Sequence, residues 1–180
     1  TVSTMTIGGQ SASYTGYSYL NASPDQNVLV WIWNEAAIGN MSGTAIVYSD
    51  GTTNKKNAWS FATYKDVKQA TPLIDSDTVT SGTTFDLTTT STSDDMIITG
   101  VIDAANNRHP IDSDTLTSRL EYHADNRAVD IADGAGGDNT TTITNDGFAN
   151  SNIAGLSVVL TALSNPIPRI HHHRKQIGAV

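Results

Sequence analysis

Apolar positions along this chain recur mostly at every second residue, and Gly, Asn, Asp and Pro break the pattern at short intervals. Such alternation puts one set of side chains on each face of a β-strand. Residues 1–7 alternate and then meet Gly8 and Gly9, a strand followed by a turn. Residues 10–20 form a second strand carrying Tyr14, Tyr17 and Tyr19. Residues 21–25 are a loop, because Pro24 cannot donate to a ladder. Next comes Val28-Leu29-Val30-Trp31-Ile32-Trp33, the longest unbroken apolar run. It is too short to cross a membrane, and its β-branched and aromatic residues favour strand over helix. Val28, Val30 and Ile32 fall on one face; Leu29, Trp31 and Trp33 fall on the other. Neither face is polar, so each needs a cover.

Residues 34–42 have weak helical character and end at Gly39 and Gly43. A strand at 44–49 precedes Asp50-Gly51, a hairpin-type turn signal. Residues 57–64 place Trp59 and Phe61 on one face, and 79–90 form a threonine-rich strand with Phe85 and Leu87. Residues 96–103 are a strongly apolar strand interrupted by Gly100. In 115–123, Leu116, Ser118, Leu120 and Tyr122 share a face, and Asp125-Asn126 turns the chain into 128–132. The glycine-rich stretch 133–138 reads as a mobile connection; it has no lysine and opens no helix, so it is no phosphate cradle. A short strand at 140–144 and a longer one at 153–163 close the body. About ten strands with closely spaced turns predict an all-β fold, an antiparallel β-sandwich of jelly-roll type. The body is one domain, residues 1–164, and residues 165–180 form an extended C-terminal arm in which Pro166 and Pro168 disfavour ladder pairing.

Charge sharpens the division between body and arm. The chain has 180 residues with 10 basic and 18 acidic, net −8. Arg169, Arg174 and Lys175 lie in the arm, and no acid follows Asp146. Removing those three leaves 7 basic against 18 acidic in the body, net −11. Arm and body are opposite in sign. An acidic body argues against nucleic acid as a partner. There is no membrane-length apolar segment, and no signal peptide with a basic start and an apolar centre. Thr1 fits either loss of an initiator methionine or an upstream cleavage. With no cysteine, disulfide, thiolate and cysteine–zinc chemistry drop out. Glutamate occurs only at Glu35 and Glu121, whereas Thr, Ser, Asn, Asp and Gly abound, which again favours strands and turns.

Few residues suggest chemistry. Asp75 and Asp77, and likewise Asp112 and Asp114, have the Asp-x-Asp spacing that can bring two carboxylates to one calcium ion. Each pair is a fragment of a site that needs six to eight oxygens, and the expected role is capping a turn before a strand. Both pairs lie in an internal echo, Ile-Asp-Ser-Asp-Thr at 74–78 and 111–115, expected to form equivalent loop-to-strand segments. No metal or cofactor is expected. His171, His172 and His173 are adjacent, so on an extended chain their side chains alternate in direction and make a poor metal site. The arm residues Pro166, Pro168, Arg169, Ile170, His171, His172, His173, Arg174 and Lys175 read instead as a docking segment. His109 and His123 sit near polar turns, and neither Gly-x-Ser-x-Gly nor His-Glu-x-x-His occurs, so the chain is not expected to be an enzyme. Trp31 and Trp33 can face the core, a partner subunit or a sugar. Asn40 and Asn139 match the N-glycosylation acceptor pattern, a match expected by chance in a chain of this composition.

Five marks in order carry a family resemblance: residues 2–9 ending in Ile-Gly-Gly, the run Val28 to Trp33, Asp66 to Pro72, Ser93 to Ile98, and Ala154-Gly155-Leu156. Together they resemble jelly-roll β-sandwich modules of tailed-phage virion proteins and of bacterial surface proteins. The resemblance covers the body to Leu163 and implies a structural or adhesive role without catalytic residues. It also implies a place on the virion surface, as a capsid decoration or fibre protein. The partners implied are a major capsid protein or other virion subunits, with a homo-oligomer expected and neither nucleic acid nor membrane bound. A glycan is the alternative ligand, taken by Trp31 and Trp33 in a carbohydrate-binding or host-adhesion module.

Overall fold

The structure, a computed structural model, describes residues 4–20, 26–49, 60–79, 84–103, 111, 116–124, 127–137, 140–144, 153–163 and 170–171. Among them the chain forms β1 (Thr4–Ile7), β2 (Gln10–Ser11), β3 (Tyr14–Leu20), β4 (Gln26–Ile32), α1 (Glu35–Gly39), β5 (Ile46–Ser49) and β6 (Thr63–Tyr64). There follow β7 (Leu73–Val79), β8 (Thr84–Thr88), β9 (Met96–Asp103), β10 (Thr117–Ala124), β11 (Arg127–Ala135), β12 (Thr140–Thr144), β13 (Ile153–Leu160) and β14 (Ile170–His171). Every pairing is antiparallel. The all-β expectation holds.

The centre is a five-stranded sheet in the order β10-β11-β9-β13-β7. All eight residues of β13 are buried, and β9 is buried at six of eight positions. A strand buried on both faces needs apolar or small residues throughout, and Ile-Ala-Gly-Leu-Ser-Val-Val-Leu supplies them. One face carries Ile153, Gly155, Ser157 and Val159; the other carries Ala154, Leu156, Val158 and Leu160.

Each face is covered by a different pair of strands. On the Gly155 face lies β8, which pairs with β12 in a separate ribbon. There Leu87, Val101 and Ile153 form a buried cluster, with Val79 and Ile111 packed against it. A Cβ added at Gly155 would meet Val79 Cγ1 at 2.9 Å and Leu87 Cδ1 at 3.3 Å, so only glycine lets the layers close. On the opposite face lies the β3–β4 hairpin, with Val28 over Gly100. A Cβ at Gly100 would stand 2.9 Å from Val28 Cγ1. Further along, Ile32 packs on the cluster of Val67, Met96 and Leu160. The Val28/Val30/Ile32 side of β4 is therefore the side turned toward the central sheet.

Several expected boundaries move. The stretch 10–20 is two strands, broken at Ala12 and Ser13, where Ser13 N–H donates to Ile32 O at 2.7 Å. Residues 73–79, expected to contain a turn, are strand β7, and the threonine-rich strand ends at Thr88 of β8, with 80–83 outside the described residues. Strand β11 runs through Asp133 and Gly134, which are paired opposite Ile98 and Ile97 rather than lying in a mobile connection. Ser118 leaves the face of Leu120 and Tyr122, because the register shifts between Ser118 and Leu120. Phe61 is exposed, and its expected companion Trp59 lies outside the described residues. The two echo segments differ in setting: Ile74 is 48 % exposed, whereas Ile111 packs on the core. The weak helical segment is α1, capped by Asn34, whose Oδ1 accepts the Ala37 N–H at 2.9 Å.

Candidate functional site

The outer side of the β3–β4 hairpin meets the three-stranded sheet β2-β1-β5 of the same chain. Trp31 stands edge-on to Tyr48 of β5, with ring centroids 6.1 Å apart and planes at 79°. This is the arrangement the ring quadrupoles favour. Tyr48 is paired opposite Met5 of β1, and Met5 is buried. The Trp33 indole N–H donates to Gln10 O of β2 at 3.0 Å. Both tryptophans are half-buried. The chain's own second sheet thus meets the outer face of the apolar run. The partner of Trp33 lies 23 residues away, and no local signal in the sequence points to it.

Asp75 and Asp77 project from β7 across the layers to β8. Asp75 Oδ2 accepts the Thr90 N–H at 2.5 Å, and Asp77 Oδ2 accepts the Thr88 N–H at 2.7 Å. Their second oxygens accept the next residue's N–H, from Ser76 at 2.9 Å and Thr78 at 2.8 Å. The i, i+2 spacing of two carboxylates on one strand face matches the repeat of alternate N–H groups on a neighbouring strand. The pair joins two layers, a role that turn-based reasoning misses. The Thr90 N–H holds the Asp75 carboxyl below its ordinary value, against partial burial, with help from Ser76. Asp112 and Asp114 lie outside the described residues. Among the described residues, no three His, Asp or Glu side chains gather as a metal-holding group.

A second polar cluster sits on the hairpin side of the central sheet, and sequence reasoning did not single it out. Asp133 of β11 is 2 % exposed. Its Oδ1 receives the Arg119 Nε–H at 2.7 Å, and its Oδ2 receives the Tyr64 hydroxyl at 3.0 Å. The irregularity in β10 lies at Arg119, between Ser118 and Leu120. Ser118 donates instead to buried Asp130 at 2.7 Å. Burial, then the charge of Asp133 and its hydrogen bond, push the Tyr64 hydroxyl far above the ordinary tyrosine range; Arg119 offsets part of this. The arrangement fixes a neutral tyrosine against a buried carboxylate. The signals present in the sequence were the isolated Arg119 in a β10 pattern and Asp133 just after an apolar run.

Tyr64 also belongs to β6, and β6 pairs with β14, the one described part of residues 165–180. Ile170 is paired with Tyr64 and His171 with Thr63. Pro166, Pro168, Arg169, His172, His173, Arg174 and Lys175 lie outside the described residues. The two described members of that segment, Ile170 and His171, and the tryptophan pair are not gathered into one site. Ile170 and His171 stand beside the Tyr64–Asp133–Arg119 cluster, while Trp31 and Trp33 stand against the β2-β1-β5 sheet. Comparison of the chain with protein-family models, curated proteins and solved structures gives no match.

Proposed function

We propose that this protein is a non-enzymatic structural component of a tailed-phage virion, most concretely a capsid decoration or cement protein. Its jelly-roll-like β-sandwich body stands on the particle surface, and its arm, residues 165–180, docks on neighbouring subunits. The observation that carries this reading is the pairing of Ile170–His171 with Thr63–Tyr64, because it makes the arm a strand former on a β-edge. Addition of a strand to an exposed edge is a recurrent mode of peptide recognition. The charge contrast supports the same reading: Arg169, Arg174 and Lys175 follow a body of net −11. The chemistry of the described residues agrees with a structural role, since Asp75 and Asp77 join layers near solvent and buried Asp133 anchors strands. The alternative, a glycan-binding or host-adhesion module built on Trp31 and Trp33, draws less support. Trp33 already uses its indole N–H on Gln10, and Trp31 already stands against Tyr48.

The test is deletion of residues 165–180, with sedimentation of the truncated protein alongside undecorated particles. The expected outcome is a body that keeps its β-sheet circular dichroism and no longer co-sediments. Normal decoration by the truncated protein would overturn the reading. A glycan array that binds the intact protein but neither Trp31→Ala nor Trp33→Ala would move the assignment to the alternative.

A further inference from the structure

The described part of the arm has an unusual register. Val67 bridges Ala162, and the Leu163 N–H donates to Asp66 O at 2.7 Å. These antiparallel partners have residue numbers summing to 229 in both cases. Ile170 with Tyr64, and His171 with Thr63, sum to 234. One ladder keeps a constant sum, so the chain takes up five extra residues between the two pairings. The break coincides with Asp66, a non-glycine residue with φ of 60°. Pairing on β6 within one chain thus requires seven peptide steps, from Leu163 to Ile170, to return to within two residues of where they left.

The sequence of that connection resists such a return. It is Ser164-Asn165-Pro166-Ile167-Pro168-Arg169. Two prolines fix φ and push the residues before them toward extended backbone. Extended chain of this kind spans about 3.1 Å per residue, or roughly 20 Å over the seven steps. Residues two apart on a strand are only about 7 Å apart. The acceptor, by contrast, is held firmly, since Tyr64 is tied to buried Asp133 and through it to Arg119. A rigid acceptor, a short donor strand and a connector that prefers to extend are the conditions under which identical contacts re-form between chains.

We propose that β14 exchanges between copies: Ile170–His171 of one chain pairs with Thr63–Tyr64 of a second copy in the homo-oligomer. This rests on the arm-docking reading and names the first partner of the arm as another copy of this chain. Charge draws basic residues 174 and 175 equally to the chain's own body and to a second copy's, each net −11, so the connector and not charge selects the second copy.

The chain has no cysteine, so a designed disulfide reports one contact cleanly. Thr63→Cys with His171→Cys places two thiols at directly paired positions, whose Cα spacing suits a disulfide. The double variant is prepared in ¹⁴N and ¹⁵N forms, mixed equally, co-refolded, oxidised with copper phenanthroline and digested for mass spectrometry. With exchange, roughly half of the cross-linked peptides pair one light and one heavy partner. Only like-isotope pairs, or no bridge at all, would overturn the proposal. Light scattering on the unsubstituted protein guards against a variant that fails to fold. The full chain is expected as an oligomer and the chain lacking residues 165–180 as a monomer; equal masses for the two would also overturn it. Neither measurement uses virions, so arm docking on particles stands or falls separately in the co-sedimentation experiment.

Discussion

The two faces of the central sheet are closed by different chemistry. On the Gly155 face, buried Leu87 packs between β8 and the sheet, and two carboxylates from β7 hold the backbone at Thr88 of β8 and at Thr90 just beyond it. On the Gly100 face, the β3–β4 hairpin lays Val28 and Ile32 on the sheet. There the polar anchor is a single buried carboxylate, Asp133, that ties Tyr64 and Arg119 together. Buried carboxylates lie on both sides, since Asp130 and Asp103 sit on the Gly155 face, so the contrast is between these two anchors and not between the faces as a whole. Asp75 and Asp77 work near solvent and align strands, while Asp133 works inside and holds down β6, the strand that pairs with β14. The same residue type therefore carries different energetic weight, set by burial.

The strongest way to break this comparison is to empty the leucine site. Leu87 is fully buried, and its only described apolar companions there are Val101, Ile153, Val79 and Ile111. Leu87→Ala should lower unfolding free energy by about 3 kcal/mol in urea titration, since the transfer loss adds to an unfilled cavity. Ile32→Ala on the other face, at a half-buried position, should lose about half as much. Equal losses would show that the two covers are equivalent.

Next in size is the buried carboxylate. Asp133→Ala leaves the Arg119 guanidinium and the Tyr64 hydroxyl without their acceptor. The loss should be about 2 kcal/mol, below that of a fully buried pair because the Arg119 side chain is 28 % exposed. A pH series sharpens the result. The Tyr64 hydroxyl is raised above its unfolded value near 10, so the folded state binds this proton more firmly. That contribution is complete below about pH 10 and is lost as pH rises beyond it. Unfolding followed from pH 8 to 11 should therefore show a decline in the wild type that is shallower in Tyr64→Phe. Parallel curves would remove Tyr64 from the account.

How far this division was legible in the sequence depends on range. The strands that read clearly are β9 and β13, whose own residues declare burial on both faces, and β4, whose two apolar faces are each half-buried. The Asn34 cap was local as well, yet the residues around it showed only weak helical promise. Three features were not legible, each because a distant partner overrides a local preference. Asp75 and Asp77 favour turns locally, but the N–H groups of Thr88 and Thr90, 11 and 15 residues away, hold them in a strand. Asp133-Gly134 looks like the start of a loop, but pairing opposite Ile98 and Ile97 keeps it in β11. The outer face of Trp31 and Trp33 plainly needed a cover, but only the pairing of β1 with β5 brings Tyr48 to it. Alternation names faces without naming neighbours, and the candidate site lies wholly in the choice of neighbours.

The smallest expected effect concerns the carboxylate clamp itself. Asp75→Asn keeps the shape of the side chain and removes its charge; its one amide oxygen can keep the bond from Thr90 or from Ser76, weakened, while the other is lost because the amide nitrogen cannot accept. The site is near solvent, so the loss at pH 7 should be about 0.5–1 kcal/mol. The sign of its pH dependence follows from the depressed carboxyl. A group whose folded pKa lies below its unfolded value of 3.8 stabilises the fold above that value, and the contribution fades as pH falls through the folded pKa. The gap between wild type and Asp75→Asn should thus be constant from pH 7 to about 5 and narrow below about 4. Denaturation at pH 7, 5 and 3 measures it. Calcium enters as a fourth condition, because a cation held by Asp75 and Asp77 would compete with the four N–H donors now on their oxygens. If calcium raises the wild-type melting temperature and leaves Asp75→Asn unchanged, the pair is a metal site and the clamp is its empty form. If calcium shifts neither protein, the carboxylates belong to β8, and the two faces differ as described.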